Sequence, residues 1–176
     1  MGKRLIFITG GCRSGKSRFA LNYANDHFTS KIYLATCEAL DAEMAERVES
    51  HKKTRGPEWR TVEEPIQIAD RIIEQGNHAE VILLDCITLW LSNLLMKWDD
   101  EERISGEVNR FMDALNETRS SLVIVSNEVG MGIVPVDPLS RRYRDLSGTV
   151  NQKIAEAAQT VVFMVSGIPL YLKGKK

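Results

Sequence analysis

Short apolar runs alternate along the chain with longer segments whose apolar positions recur every three or four residues. That is the pattern of a mostly parallel sheet flanked by helices. Leu5-Ile6-Phe7-Ile8-Thr9 predicts a buried strand, stopped by Gly10 and Gly11. Ser17 to His27 predicts a helix with Phe19, Ala20, Tyr23 and Ala24 on one face, and Lys31 to Ala35 predicts a second strand. Asp41 caps a further helix whose apolar stripe, Met44 and Val48, continues into His51. A turn-rich stretch, Arg55-Gly56-Pro57-Glu58, leads to Trp59-Arg60-Thr61-Val62-Glu63. Pro65 then opens a helix through Ile66, Ala69, Ile72 and Ile73 that stops near Gly76 and Asn77.

Val81-Ile82-Leu83-Leu84-Asp85 predicts a third strand, apolar on both faces and therefore central. A helix begins around Thr88, and Glu101 to Thr118 is a clean amphipathic helix with its stripe at Ile104, Val108, Phe111, Met112 and Leu115. Leu122 to Val125 predicts the fourth strand, followed by a loop from Asn127 to Asp137. Asp137-Pro138 starts a long helix with its stripe at Leu139, Tyr143, Leu146, Val150 and Ile154. Val161 to Val165 predicts the fifth strand, and Leu170-Tyr171-Leu172 is a candidate sixth. With no repeat, linker or low-complexity segment, the expectation is one continuous α/β domain over residues 1–176.

Composition narrows the function classes. The 176 residues are 43% apolar and 27% charged, enough for a core that needs no disulfide or metal staple. The 23 basic and 24 acidic side chains give a formal charge of −1, without the basic excess of a bulk nucleic-acid binder. Cys12, Cys37 and Cys86 are odd in number and widely spaced, which argues against a disulfide framework or zinc site and for a reducing cytoplasm. The first apolar run is too short for a secretory signal, and Ile6 breaks the myristoylation pattern. The stretch from Val81 to Met96 is interrupted by Asp85 and too short to span a bilayer. A cytoplasmic protein with no membrane span and no nucleic-acid partner is expected.

The chemistry begins at Gly10-Gly11-Cys12-Arg13-Ser14-Gly15-Lys16-Ser17, which matches GxxxxGK[ST] between a strand and a helix. The glycines let backbone amides wrap a phosphate chain at a helix N-terminus. Lys16 is expected to reach the β and γ oxygens of a nucleoside triphosphate and Ser17 to ligate Mg²⁺. Asp85, at the end of a buried strand, is the candidate metal-assisting acid; its bland alternative is a cap for the next helix. Glu128 is a second candidate for acceptor or metal contact. Lys52, Lys53, Arg55, Arg60, Arg141, Arg142 and Arg144 can each neutralise phosphate charge or simply face solvent.

Other phosphate-loop classes leave marks that are missing here. A regulatory GTPase carries DxxG and NKxD, which Asp85-Cys86-Ile87-Thr88 and Asn127-Glu128-Val129-Gly130 do not match. Of the three histidines, His27 and His78 read as surface residues, whereas His51 continues an apolar stripe and precedes Lys52-Lys53-Thr54-Arg55. Pattern alone allows His51 to be a packed core residue or, as a neutral imidazole beside cations, a nucleophile toward a phosphoryl group.

Beyond the phosphate loop, further segments resemble one family in order: Tyr33-Leu34-Ala35-Thr36, Asp41-x-Glu43-Met44, Arg47-Val48-x-x-His51-Lys52, Trp59-Arg60-Thr61, and the strand to Asp85. Asn127-Glu128-Val129-Gly130-Met131-Gly132-Ile133-Val134-Pro135, Gly148-x-Val150-Asn151-Gln152 and Val165-Ser166-Gly167-Ile168 continue the match. The chain is similar, over essentially its whole length, to the bifunctional adenosylcobinamide kinase/adenosylcobinamide-phosphate guanylyltransferases of cobalamin assembly. The resemblance implies a RecA-like sheet and a homotrimer. It implies phosphorylation of the aminopropanol hydroxyl of adenosylcobinamide by ATP or GTP, then transfer of GMP from GTP through a guanylylated histidine. By the motif match that histidine is His51. Nucleotide contacts would carry over to Gly10 through Ser17, to Thr36, Cys37 and Glu38, to Lys52, Lys53, Thr54 and Arg55, to Glu63 and to Asp85, with Mg²⁺ as the metal and no permanently bound cofactor.

The chain departs from the family pattern in three places. Ser50-His51 stands where some members show two adjacent histidines, Pro57 falls one place late, and Asp85 stands where Glu is expected. The competing readings are a phosphate-loop kinase of another small alcohol, which forms no nucleotide–histidine adduct, and a nucleotide-switched binding module, which consumes no nucleotide.

Overall fold

The computed structural model of the chain describes residues 2–37, 56 and 58–174. Among the described residues, seven strands form one sheet: β1 (Leu5–Gly10), β2 (Lys31–Ala35), β3 (Trp59–Glu63), β4 (Val81–Asp85), β5 (Ser121–Val125), β6 (Thr160–Val165) and β7 (Ile168–Lys173). Their order is β3-β2-β4-β5-β1-β6-β7. All neighbours run parallel except β6 and β7, which form an antiparallel hairpin at one edge. The described helices are α1 (Lys16–His27), α2 (Ile68–Gln75), α3 (Ile87–Lys97), α4 (Glu101–Glu117) and α5 (Pro138–Ala157).

Side chains alternate across the pleat, so each central strand feeds two cores. Leu5, Phe7, Ile32, Leu34, Ile82, Leu84, Leu122 and Ile124 point to one face, where Ile68 and Ile72 of α2, Trp90 and Leu94 of α3, Phe111 of α4, and Val150 and Ile154 of α5 cover them. Ile6, Ile8, Tyr33, Leu83, Val123 and Val125 point to the other face, against Ala20 and Ala24 of α1. Burial on both faces is why these strands are continuously apolar. Trp59-Arg60-Thr61-Val62-Glu63, unassigned from pattern, is the edge strand β3, paired in parallel with β2.

One helix boundary and one buried stripe differ from expectation. Pro65 does not open α2; Glu64 Oε1 accepts hydrogen bonds from the Ile66 and Gln67 amides at 2.9 and 2.8 Å, and this turn delays the helix to Ile68. Asp137-Pro138 does start α5, with the Asp137 carboxylate accepting from the Ser140 amide at 2.7 Å. Leu139 is not on its buried stripe, however, being 45% exposed; packing is complete only from Val150 onward. Among the described residues, no helix is long and apolar enough to cross a membrane.

Candidate active site

The phosphate loop links β1 to α1 at the C-terminal edge of the sheet, where parallel α/β proteins bind ligands. Two of its glycines are required by geometry. Gly10 has φ 146°, and a Cβ there would run into the Met164 carbonyl oxygen of β6. Gly15, the residue before α1, has φ 94°, and its Cβ would meet the Gly167 Cα at 3.3 Å. The β6–β7 turn braces the loop directly, since the Gly167 amide donates to the Ser14 carbonyl at 2.9 Å.

Lys16 lies folded over this loop, 7% exposed, its ammonium donating to the Gly11 carbonyl at 2.6 Å. Burial lowers its pKa from the ordinary lysine value, while the acidic groups of Cys86, Asp85 and Cys12 act in the opposite direction. A phosphate oxygen entering the site therefore meets a partly desolvated cation whose carbonyl partner it can replace. Arg13, Ser14, Gly15, Lys16, Ser17 and Arg18 share a cavity of about 240 Å³ with Asp85, Cys86, Val125 and Asn127. Arg18 and Asn127 had not been singled out from sequence.

Asp85 ends β4, and the Tyr33 hydroxyl of β2 donates to its Oδ2 at 2.9 Å. The next residue, Cys86, is buried with its thiol pushed up to about 11, chiefly by desolvation. It is held neutral and is no nucleophile at physiological pH. The donor set toward a metal is one hydroxyl, Ser17, and one carboxylate, Asp85. That set suits Mg²⁺, which keeps several waters and takes further ligands from substrate phosphates. Among the described residues there is no group of three or more His, Cys, Asp or Glu that would hold a metal without substrate.

The remaining predicted residues separate into three sets. Thr36 is fully buried beyond the end of β2, its hydroxyl bonded to the Cys86 backbone, and Cys37 follows it, half-buried. Glu63 ends β3 at the far side of the same sheet edge. Glu38, His51, Lys52, Lys53, Thr54 and Arg55 lie outside the described residues. Glu128 turns into its own loop, where Oε1 accepts from the Gly130 amide at 2.6 Å. The arginines are engaged elsewhere: Arg141 donates to the Pro135 carbonyl at 3.0 Å, Arg142 pairs with Asp99 at 3.0 Å, and Arg144 lies 3.7 Å from Asp145. His27, exposed, stacks on Tyr23 with ring centres 4.2 Å apart, and His78 is exposed in a turn, as expected.

A larger recess of about 640 Å³, lined by Arg4, Tyr23, His27 and Tyr171 among others, opens at the opposite end of the sheet. It adjoins the starts of β1 and β6, the end of α1 and the later part of the antiparallel β7, away from the C-terminal ends of the parallel strands, and includes neither the phosphate loop nor Asp85.

Comparison with known proteins agrees with this geometry. The bifunctional adenosylcobalamin biosynthesis protein CobP of Pseudomonas aeruginosa is 43% identical over 168 residues, 96% of each chain. The bifunctional adenosylcobalamin biosynthesis protein CobU of Escherichia coli K12 is 41% identical over 181 residues, covering 96% of this chain and 99% of its own. Among solved structures, the KaiC-like protein PH0186 of Pyrococcus horikoshii OT3 aligns with a TM-score of 0.54 at 13% identity, covering 98% of this chain and 80% of that one. That likeness is one of fold, and it bears out the RecA-like sheet. The family model for cobinamide kinase / cobinamide phosphate guanyltransferase matches residues 6–172, and this chain belongs to that family.

Proposed function

We propose that the protein phosphorylates the aminopropanol hydroxyl of adenosylcobinamide with ATP or GTP. It then transfers GMP from GTP onto that phosphate, giving adenosylcobinamide-GDP. The observation that carries this reading is the single cavity in which a glycine-framed lysine, Ser17 and Asp85 converge, in a chain of this family.

In the first step the loop amides and Lys16 hold the triphosphate and offset charge that builds on its oxygens. The acceptor hydroxyl oxygen bonds to the γ-phosphorus as the bond to the β,γ-bridging oxygen breaks. The diphosphate leaves with that electron pair and the hydroxyl proton passes to solvent. Ser17 and Asp85 would hold Mg²⁺, which when bound screens the phosphate charges. In the second step an imidazole nitrogen of His51 attacks the α-phosphorus of GTP and pyrophosphate leaves. A phosphate oxygen of adenosylcobinamide phosphate then displaces the imidazole. Lys52, Lys53, Thr54 and Arg55 are the nucleotide contacts nearest His51 in sequence, with Glu38, Thr36, Cys37 and Glu63 completing the site. On this reading the enzyme is cytoplasmic, consistent with three free cysteines. A trimer would cover the exposed Met131, Ile133 and Val136 of the loop before α5.

The test is label transfer. GTP labelled at the α-phosphate should leave an acid-labile, base-stable adduct on wild-type protein, and γ-labelled GTP should leave none. His51→Ala should lose the adduct and guanylyl transfer while retaining phosphorylation. Undiminished labelling in His51→Ala would overturn the assignment.

A further inference from the structure

We infer that Asn127 contacts the terminal phosphate during phosphoryl transfer and serves that reaction selectively; the inference rests on the two-step function proposed above. Past the end of β5 the chain keeps its pairing with β1, because the Ser126 amide donates to the Ile8 carbonyl and the Glu128 amide to the Gly10 carbonyl, both at 3.0 Å. Asn127 is thereby laid beside the root of the phosphate loop, just past the end of β5, the strand that separates β1 from the Asp85 strand. It lines the same cavity as Lys16, Ser17 and Asp85, whereas Glu128 does not.

The side chain is aimed by its surroundings. Asn127 Nδ2 donates to Thr88 Oγ1 in the first turn of α3 at 2.9 Å, which leaves its second amide hydrogen and Oδ1 available. Its backbone carbonyl accepts from Asn151 Nδ2 of α5 at 3.2 Å, and Asn151 Oδ1 accepts from Ser126 Oγ at 2.7 Å. Ser126 is fully buried and Asn151 is 7% exposed, so the tether is shielded from water. The outcome is a neutral amide donor in the cavity it shares with Lys16, Ser17 and Asp85, the kinds of group that phosphate-loop enzymes set around the β- and γ-phosphates rather than the α-phosphate.

Selectivity follows from which bond breaks. Phosphoryl transfer spreads charge over the equatorial oxygens of the γ-phosphate, so a fixed donor there binds the transition state better than the ground state. Guanylyl transfer breaks the α–β bond two phosphates away, and the same contact then binds ground and transition states alike.

The experiment measures both half-reactions separately in full-length protein with Mg²⁺: phosphorylation of adenosylcobinamide, and GMP transfer to preformed adenosylcobinamide phosphate. Asn127→Ala should lower kcat for phosphorylation on the order of 10²-fold with little change in nucleotide KM, and should affect GMP transfer far less. Asn127→Leu, which keeps the volume but loses the donor without adding charge, should behave likewise and serves if the alanine variant folds poorly. Asn151→Ala, a positioning change, should reduce kcat for phosphorylation alone, by a smaller factor. Equal losses in both reactions, or full phosphorylation in Asn127→Leu, would overturn the inference while leaving the two-step function standing. A wild-type protein that transfers no phosphoryl group would overturn both.

Discussion

The Thr36 hydroxyl donates to the Cys86 carbonyl at 2.8 Å and accepts from the Cys86 amide at 2.9 Å. One side chain thus satisfies both backbone groups of the residue after Asp85, in a fully buried position between the ends of β2 and β4. Asn93 of α3 extends the arrangement by donating to the Thr36 carbonyl at 2.8 Å and the Pro65 carbonyl at 3.1 Å. The Asp85–Cys86 peptide that this clamp holds is cis.

Thr36→Val removes the hydroxyl at nearly constant volume and leaves the buried Cys86 amide without its partner, while the Cys86 carbonyl keeps only the Trp90 amide at 3.2 Å. A destabilisation of about 1–3 kcal/mol is expected, read as a lower urea midpoint with unchanged slope. Phosphorylation per folded molecule should also fall, because the backbone beside Asp85 loses its anchor. Wild-type stability in this variant would show that the clamp contributes nothing.

Lys16→Ala removes the cation of the cavity that, on the proposed function, cradles the triphosphate. Because one cavity would serve both steps, phosphorylation and guanylyl transfer should each decline by on the order of 10²-fold or more. Full phosphorylation turnover in the variant would require a second nucleotide site.

Asp85→Asn keeps the shape of the strand end and removes its charge, so the Mg²⁺ concentration needed for half-maximal activity should rise while the melting temperature stays near wild type. Tyr33→Phe deletes the hydrogen bond to Asp85 Oδ2 and leaves the charge, and its activity loss should be smaller, roughly tenfold or less. A large drop in stability with normal activity per folded molecule would make Asp85 a structural residue.

Cys86 makes stability depend on pH in the alkaline range. Its thiol is raised from 9.0 to about 11 in the folded chain, so between those values the unfolded chain has lost a proton that the folded chain keeps. Stability is fully present below pH 9 and declines as pH rises through about 11, by roughly 2–3 kcal/mol from this group. Denaturation midpoints across that window should fall less steeply in Cys86→Ala than in wild type. Parallel slopes would exclude the thiol as the cause.

How much was legible in the sequence depended on whether a feature is local. Strands β1, β2, β4, β5 and β6 are readable because their interiors are runs of apolar residues, with polar residues such as Lys31, Asp85, Ser121 and Thr160 only at their ends. Strand β3 is an edge, with Trp59 buried but Arg60 and Glu63 exposed, and the Gly56-Pro57 turn signal before it is louder than its pattern. Leu139 fits the helical period of α5 yet stays exposed, since periodicity says which face a residue occupies and not how far the neighbouring elements extend. The phosphate loop announces itself by spacing within eight consecutive residues, Gly10 to Ser17. Asn127 does not, because its place beside the loop comes from the order β4-β5-β1, which no short window contains. Arg142 was ambiguous for the same reason, since its partner Asp99 comes from a distant segment. Arg141 and Arg144 bond close by in sequence, to the Pro135 carbonyl and Asp145, but a basic residue's choice between a local partner and a phosphate is not written in its spacing.

The strand order also sets a ruler. Val125 pairs with Asp85 on one side and Ile8 on the other, so the acid and the β1 residue two positions before the phosphate loop stand two inter-strand steps apart. At about 4.8 Å per step this fixes a backbone separation of roughly 9.6 Å. Sheet hydrogen bonds hold that interval, and no single side-chain substitution changes it. The reach across it is adjustable only in increments of one carbon–carbon bond, about 1.5 Å. Asp85→Glu would carry the carboxylate one such increment farther across the opening, leaving the frame on which both phosphate and acid are mounted unaltered.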